Sequence, residues 1–198
     1  MLVFWPQKLV FLAVPKTGTT AIEDVLGPIA DMRISSPPIF KHMPLVRFNT
    51  YIKPFILDNF DVKLETVAVV RNPIDWLGSW YRYRSRPELV GQPNSTREIS
   101  FDTFVKGYLR DKKPAYSNVG SQSVFVSRHK GPIGVTHLFQ YEQMEKLIEF
   151  FERQLSISIN LPRLNQSPSR ELQLSSDVEE RLRKRCAAEF EAWSAARR

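Results

Sequence analysis

Hydrophobic positions along the chain fall into alternating strand-length and helix-length blocks. Lys8 to Val14 (KLVFLAV) is a continuous apolar run, as in a strand buried on both faces of a parallel sheet. A turn-rich loop, Pro15 to Thr20 (PKTGTT), follows it. A helix is predicted from Thr19 (TTAIEDVLGPIA), with Thr19 or Thr20 as cap, Glu23 and Asp24 in its first turns and Gly27-Pro28 ending it. Pro44 to Ile56 has helical spacing, with Leu45, Phe48, Ile52 and Phe55 on one face. Glu65 to Val70 (ETVAVV) is a second buried-type strand, closed by Arg71-Asn72-Pro73 and followed by a helix from about Ile74 to Arg84. Ser85 to Glu98 is a polar surface loop, and Phe101 to Leu109 is another helix.

Ile133 to Phe139 (IGVTHLF) is a third candidate strand, and Tyr141 to Leu155 an amphipathic helix with the stripe Met144, Leu147, Ile148 and Phe151. Asn160 to Gln173 is irregular. A last helix, capped by Ser175 or Ser176, runs through Val178, Leu182, Cys186, Phe190 and Trp193. The pattern predicts one α/β domain over residues 1–198, a three-layer fold with a mostly parallel sheet of at least three strands flanked by helices.

Composition agrees with a soluble globular chain: 198 residues, 42% apolar and 25% charged. The formal net charge of +7 favours anionic partners without choosing among them. Cys186 is the one cysteine, so no internal disulfide forms, and its apolar setting makes it a small core residue. The opening MLVFWPQKLVFLAV lacks a basic start and a cleavage site, and Pro6, Gln7 and Lys8 interrupt it. These features predict a cytoplasmic protein with no stable membrane insertion.

The chemistry concentrates at two strand ends, where open parallel sheets bind ligands. In VPKTGTTAIE, Gly18 allows a tight turn. The amides of Gly18, Thr19 and Thr20 then stand at a helix start, where they cradle a phosphate, and Lys16 adds a mobile charge. The order differs from the nucleoside-triphosphatase P-loop, because Lys16 precedes Gly18. The second strand ends in Arg71 rather than a magnesium-holding Asp. Arg71 suits bidentate contact with a phosphate, and Ser79 lies about two turns along the following helix. Lys and Arg at the strand ends suit an anion held without a metal.

Together, PKTGTT and RNPIDWLGSWY resemble the two 3′-phosphoadenosine 5′-phosphosulfate (PAPS) motifs of sulfotransferases, in order and in context. VTHLFQYEQM is similar to a strand-then-YE segment of that family, and the chain most resembles compact members related to the glycan sulfotransferases. The resemblance implies a P-loop NTPase-like fold and sulfuryl transfer from PAPS to an acceptor hydroxyl, leaving adenosine 3′,5′-bisphosphate. It implies Lys16, Thr17, Gly18, Thr19 and Thr20 on the 5′ side and Arg71 and Ser79 on the 3′ side. A small molecule or glycan is the implied acceptor, with a saccharide leading and no nucleic acid partner.

FKHMPL, Phe40 to Leu45, falls between the two cofactor strands and resembles the family's K-x-H-x-P element, except that Lys41 stands directly beside His42. Histidine titrates near neutrality, so His42 is the candidate general base and Lys16 the candidate catalytic cation. Glu23 is the rival base. His129 and His137 have weaker claims, and Arg170 in SPSR is a further candidate for the cofactor. The alternative functions are a small P-loop-like kinase or nucleotide-binding protein, and a basic nucleic-acid-binding module.

Overall fold

The computed structural model describes residues 1–58, 61–129, 131–161 and 170–197. The chain opens as a hairpin, β1 (Leu2–Phe4) turning back into β2 (Leu9–Leu12), with Leu2 opposite Phe11 and Phe4 opposite Leu9. Then come α1 (Thr19–Leu26) and β3 (Met32–Arg33), which pairs with β1. Short helices follow: α2 (Pro38–Lys41), α3 (Leu45–Arg47), a π-helical turn at Phe48–Ile52 and α4 (Lys53–Leu57). After β4 (Glu65–Val70) come α5 (Pro73–Arg84), α6 (Phe101–Tyr108) and α7 (Gln122–Val126). The chain closes with β5 (His137–Gln140), α8 (Met144–Leu155), α9 (Ser176–Arg185) and α10 (Ala187–Ala195).

The sheet order is β3-β1-β2-β4-β5. β2, β4 and β5 are parallel, with Leu12 beside Ala68 and Val70 beside Gln140. The parallel core is the expected one. The complete sheet is mixed, because β1 and β3 add antiparallel pairs at one edge.

Strand residues are buried on both faces because side chains alternate across a sheet covered by helices. Val10, Leu12, Ala68, Val70 and Leu138 face Leu45, Phe48, Val126 and Ala192. Leu9, Phe11, Val67, Val69 and Phe139 face Ile22, Leu26, Leu147 and Phe151. The architecture is therefore three-layer α/β. A separate cluster joins Trp76, Leu77 and Tyr81 of α5 to Phe101 and Phe104 of α6 and to Val178 and Leu182 of α9. Among the described residues, no helix is long and apolar enough to cross a membrane.

Several elements differ from the pattern reading. The Pro44 helix contains the π turn, which adds a residue to one turn and rotates everything beyond it. Leu45 and Phe48 are buried as expected, but Ile56 and Leu57 pack inward while Phe55 is 77% exposed. The third strand begins at His137, not Ile133, and Ile133 makes only an isolated bridge to Ser127. The last helix breaks at Cys186, whose backbone leaves the helical region at φ −115° and ψ 35°. Cys186 itself is partly buried against the α5–α6–α9 cluster.

Candidate active site

The register of the parallel strands brings the two candidate motifs together. Leu12 lies beside Ala68, so the loop leaving β2 and Arg71 leaving β4 emerge side by side at the carboxyl edge. Trp76 of α5 fastens them, its indole N–H donating to the Pro15 carbonyl at 2.8 Å. Lys16 and Gly18 both take positive φ, 67° and 74°. That backbone is unfavourable for lysine and natural for glycine, and it curls the loop tightly onto the start of α1. The first amides of α1 have no partner within the helix and no side-chain cap. A Cβ on Gly18 would meet the Tyr141 ring at 3.2 Å, so the loop also depends on close approach there.

A cavity of about 650 Å³ opens here, of a size usual for cofactors. Lys16, Gly18, Thr19, Thr20, Arg71, Ser79 and His42 all line it, as do Lys41, Arg82, Arg86, Trp80, Tyr83 and Tyr141. No described lining residue is a carboxylate. Thr17 is the exception among the expected cofactor residues. It is fully buried, and its hydroxyl donates to the Val14 carbonyl at 2.9 Å. Its side chain shapes the loop instead of facing the cavity.

The cationic groups are poised for an anion. Arg71 stacks on Tyr141, its guanidinium carbon 4.5 Å from the ring centroid, and its Nε is buried with no hydrogen-bond partner among the described residues. An orphaned guanidinium nitrogen is costly unless a ligand completes it. The Trp80 indole nitrogen is orphaned in the same way. Lys16 Nζ lies 4.2 Å from the Tyr83 ring centroid. Burial lowers the Lys16 pKa from its ordinary value to about 8, and the charges of Arg86, Arg71 and Arg82 push the same way.

One residue outside the sequence motifs, Gln122, holds the Arg71 backbone, and Glu189 holds Gln122. The Arg71 amide donates to the Gln122 side-chain oxygen at 2.8 Å, and the Gln122 nitrogen donates to the Arg71 carbonyl at 2.9 Å. Gln122 is 1% exposed. It stands at the start of α7, where the buried Glu189 carboxylate of α10 accepts from the Gln122 and Ser123 amides at 3.1 and 3.2 Å, and also from the Ser121 hydroxyl. No sequence pattern points to Gln122, because a side chain acting as a strand partner has no periodicity. Gln122→Leu strands the Arg71 amide and carbonyl, with an expected loss of about 1–3 kcal/mol of stability in urea denaturation. An unchanged denaturation midpoint would mean the pairing is dispensable.

His42 reaches the cavity from the crossover between β2 and β4. Its Nδ1 lies 2.8 Å from the Ala13 carbonyl. A carbonyl only accepts, so Nδ1 carries the proton and Nε2 keeps a lone pair. Burial lowers the His42 pKa below its ordinary value, Lys41 adds to the effect and the Ala13 contact opposes it. His42 is therefore neutral at pH 7. Lys41 is half-committed: its Nζ lies 2.7 Å from Glu23 Oε2. Glu23 is 2% exposed and does not line the cavity, so this carboxylate serves the ion pair.

The other candidates lie elsewhere. His137 pairs with Glu65 at 2.7 Å and packs on Phe150, and His129 is exposed outside the cavity. The Arg170 guanidinium donates to the carbonyls of Thr96, Arg97 and Ile99 and stacks on Tyr81. It ties down the 96–99 loop and does not line the cavity. Ser167 to Ser169 lie outside the described residues.

Comparison with solved structures finds a likeness to mouse sulfotransferase SULT7A1 complexed with PAP. The identity is 19%, the TM-score 0.44, and the match covers 100% of this chain and 70% of that one. No family profile and no curated protein matches the chain.

Proposed function

We propose that the chain is a PAPS-dependent sulfotransferase whose acceptor is a hydroxyl, with a saccharide as the leading class. The observation that carries this is the Arg71 Nε, buried with no partner among the described residues, in a cavity whose described lining holds no carboxylate and that also takes in Ser79 and the Lys16 loop. Two anion sites at adjacent strand ends fit a nucleotide phosphorylated at both ends. In this reading Arg71 and Ser79 bind the 3′-phosphate, and Arg82, on which Arg71 is the strongest charged influence, supports that end. Lys16 and the amides at the start of α1 bind the 5′ side.

The bound donor supplies an activated sulfuryl group. His42 Nε2 takes the proton of the acceptor hydroxyl as the new O–S bond forms. Lys16 and the loop amides bind the sulfuryl oxygens and the 5′-phosphate oxygen, which gains charge as its bond to sulfur breaks. Such donors act best when fixed in advance. The Ala13 contact fixes His42, the Trp76 bond fixes the loop and Gln122 fixes Arg71.

Calorimetry with adenosine 3′,5′-bisphosphate and adenosine 5′-phosphate tests the reading. The bisphosphate should bind more tightly, and Arg71→Ala should weaken it by about 1.5–3 kcal/mol while affecting the monophosphate less. Equal losses for both nucleotides would remove Arg71 from the 3′ site. Sulfuryl transfer should also survive EDTA, whereas ATP hydrolysis restored by magnesium would favour the kinase alternative.

A further inference from the structure

The cavity extends past the residues that the donor needs. Ser79, Arg82, Tyr83 and Arg86 recur at helical spacing and all line it, so one stripe continues from the nucleotide end past Ser85, the C-cap of α5. Two arginines of this region are spent on the fold. Arg84 donates to the Ala115 and Asn118 carbonyls, and Arg170 to the carbonyls of the 96–99 loop. The Arg86 side chain makes no hydrogen bond or ion pair among the described residues; its backbone amide donates to the Tyr83 carbonyl and its carbonyl accepts from the Leu89 amide. Its guanidinium carbon lies 4.7 Å from the Tyr83 ring centroid, the ring that also carries Lys16 at 4.2 Å. Arg86 therefore sits one ring away from the lysine assigned to the sulfuryl group and lines the same cavity.

We propose that the acceptor itself carries an anionic group, a carboxylate or sulfate on a hydroxyl-bearing saccharide, and that Arg86 seated on Tyr83 binds it. This rests on the sulfotransferase reading of the same cavity. A guanidinium matches either oxyanion with two parallel hydrogen bonds. A neutral acceptor would instead leave Arg86 without an anion of its own, since the donor's phosphosulfate is held at Lys16. After burial itself, Arg86 is the strongest influence depressing the Lys16 charge, and an acceptor anion at Arg86 relieves that influence. Substrate binding thereby helps keep Lys16 protonated for transfer.

The test is calorimetry on the full chain saturated with adenosine 3′,5′-bisphosphate. Three probes are compared: a hexasaccharide alternating glucuronate and N-acetylglucosamine, its carboxyl-reduced neutral form, and that neutral form carrying sulfate esters. At least one anionic probe should bind about 10-fold to 100-fold more tightly than the neutral one, the range for a charge-assisted pair, and which one does so distinguishes carboxylate from sulfate. Arg86→Ala and Arg86→Gln should abolish the preference, Arg86→Lys should retain part of it, and bisphosphate affinity should stay as in the wild type. Equal binding of all three probes, or absence of binding, would overturn the proposal. So would an Arg86→Gln protein that loses the nucleotide along with the saccharide, since Arg86 would then serve the donor. If the wild-type chain does not bind the bisphosphate, the sulfotransferase reading fails first and this inference falls with it.

Discussion

His42→Ala should lower sulfuryl-transfer turnover by about two to four orders of magnitude, the range for loss of a general base. Adenosine 3′,5′-bisphosphate should bind the variant as before, because His42 enters the cavity from the crossover and not from the nucleotide motifs. The structure strengthens this expectation beyond residue type. The Ala13 carbonyl selects the tautomer with a free Nε2, and burial keeps the ring neutral at pH 7. Near-normal turnover of His42→Ala at neutral pH would dismiss the assignment. Glu23 could not then take its place without releasing Lys41.

Lys16→Ala should cost about two to three orders of magnitude in kcat, the loss seen when one preorganised donor to a developing charge is removed. It should weaken nucleotide binding as well. The pH profile separates the two residues. His42 must be neutral and Lys16 protonated, so kcat/KM should rise through a pKa below 6.5 and fall above about 8. A flat alkaline limb in the wild type would contradict the role of Lys16. Stability should move the other way. The Lys16 pKa is lowered by folding, so the cost of its charge is fully present below pH 8 and disappears above 10.5. Lys16→Met should therefore raise the thermal midpoint of the ligand-free chain at pH 7, with the gain vanishing as pH approaches 10.5.

Much of this site was legible in the sequence because its parts are local. A buried-type strand, a glycine turn and a helix start occupy neighbouring residues, and Lys16, Gly18, Thr19, Thr20, Arg71 and Ser79 do meet in one cavity, although Gly18 takes the N-cap position and neither Thr19 nor Thr20 caps α1. What escaped depends on contacts between distant segments. Leu2–Phe4 has no element assigned from the sequence and is an antiparallel strand, since three residues carry too little periodicity to declare themselves. Phe55 fits the helical stripe and faces solvent, because a π turn changes the phase without leaving a mark in composition. Thr17 belongs to the loop motif by position, yet its hydroxyl is turned to Val14. Arg170 looked like a ligand-seeking cation, but carbonyls far along the chain claim it.

The contact between Glu189 and the start of α7 bears on the order in which the molecule comes together during synthesis. The strand ends, the glycine loop and Arg71 all leave the ribosome early. The carboxylate that anchors Gln122, and through it the Arg71 backbone, arrives more than a hundred residues later on α10. A nascent chain can thus complete its central sheet while Arg71 still lacks that support. Arg71 gains that backbone support only once α10 has been made, and Glu189→Gln should weaken it at the same point in the finished molecule.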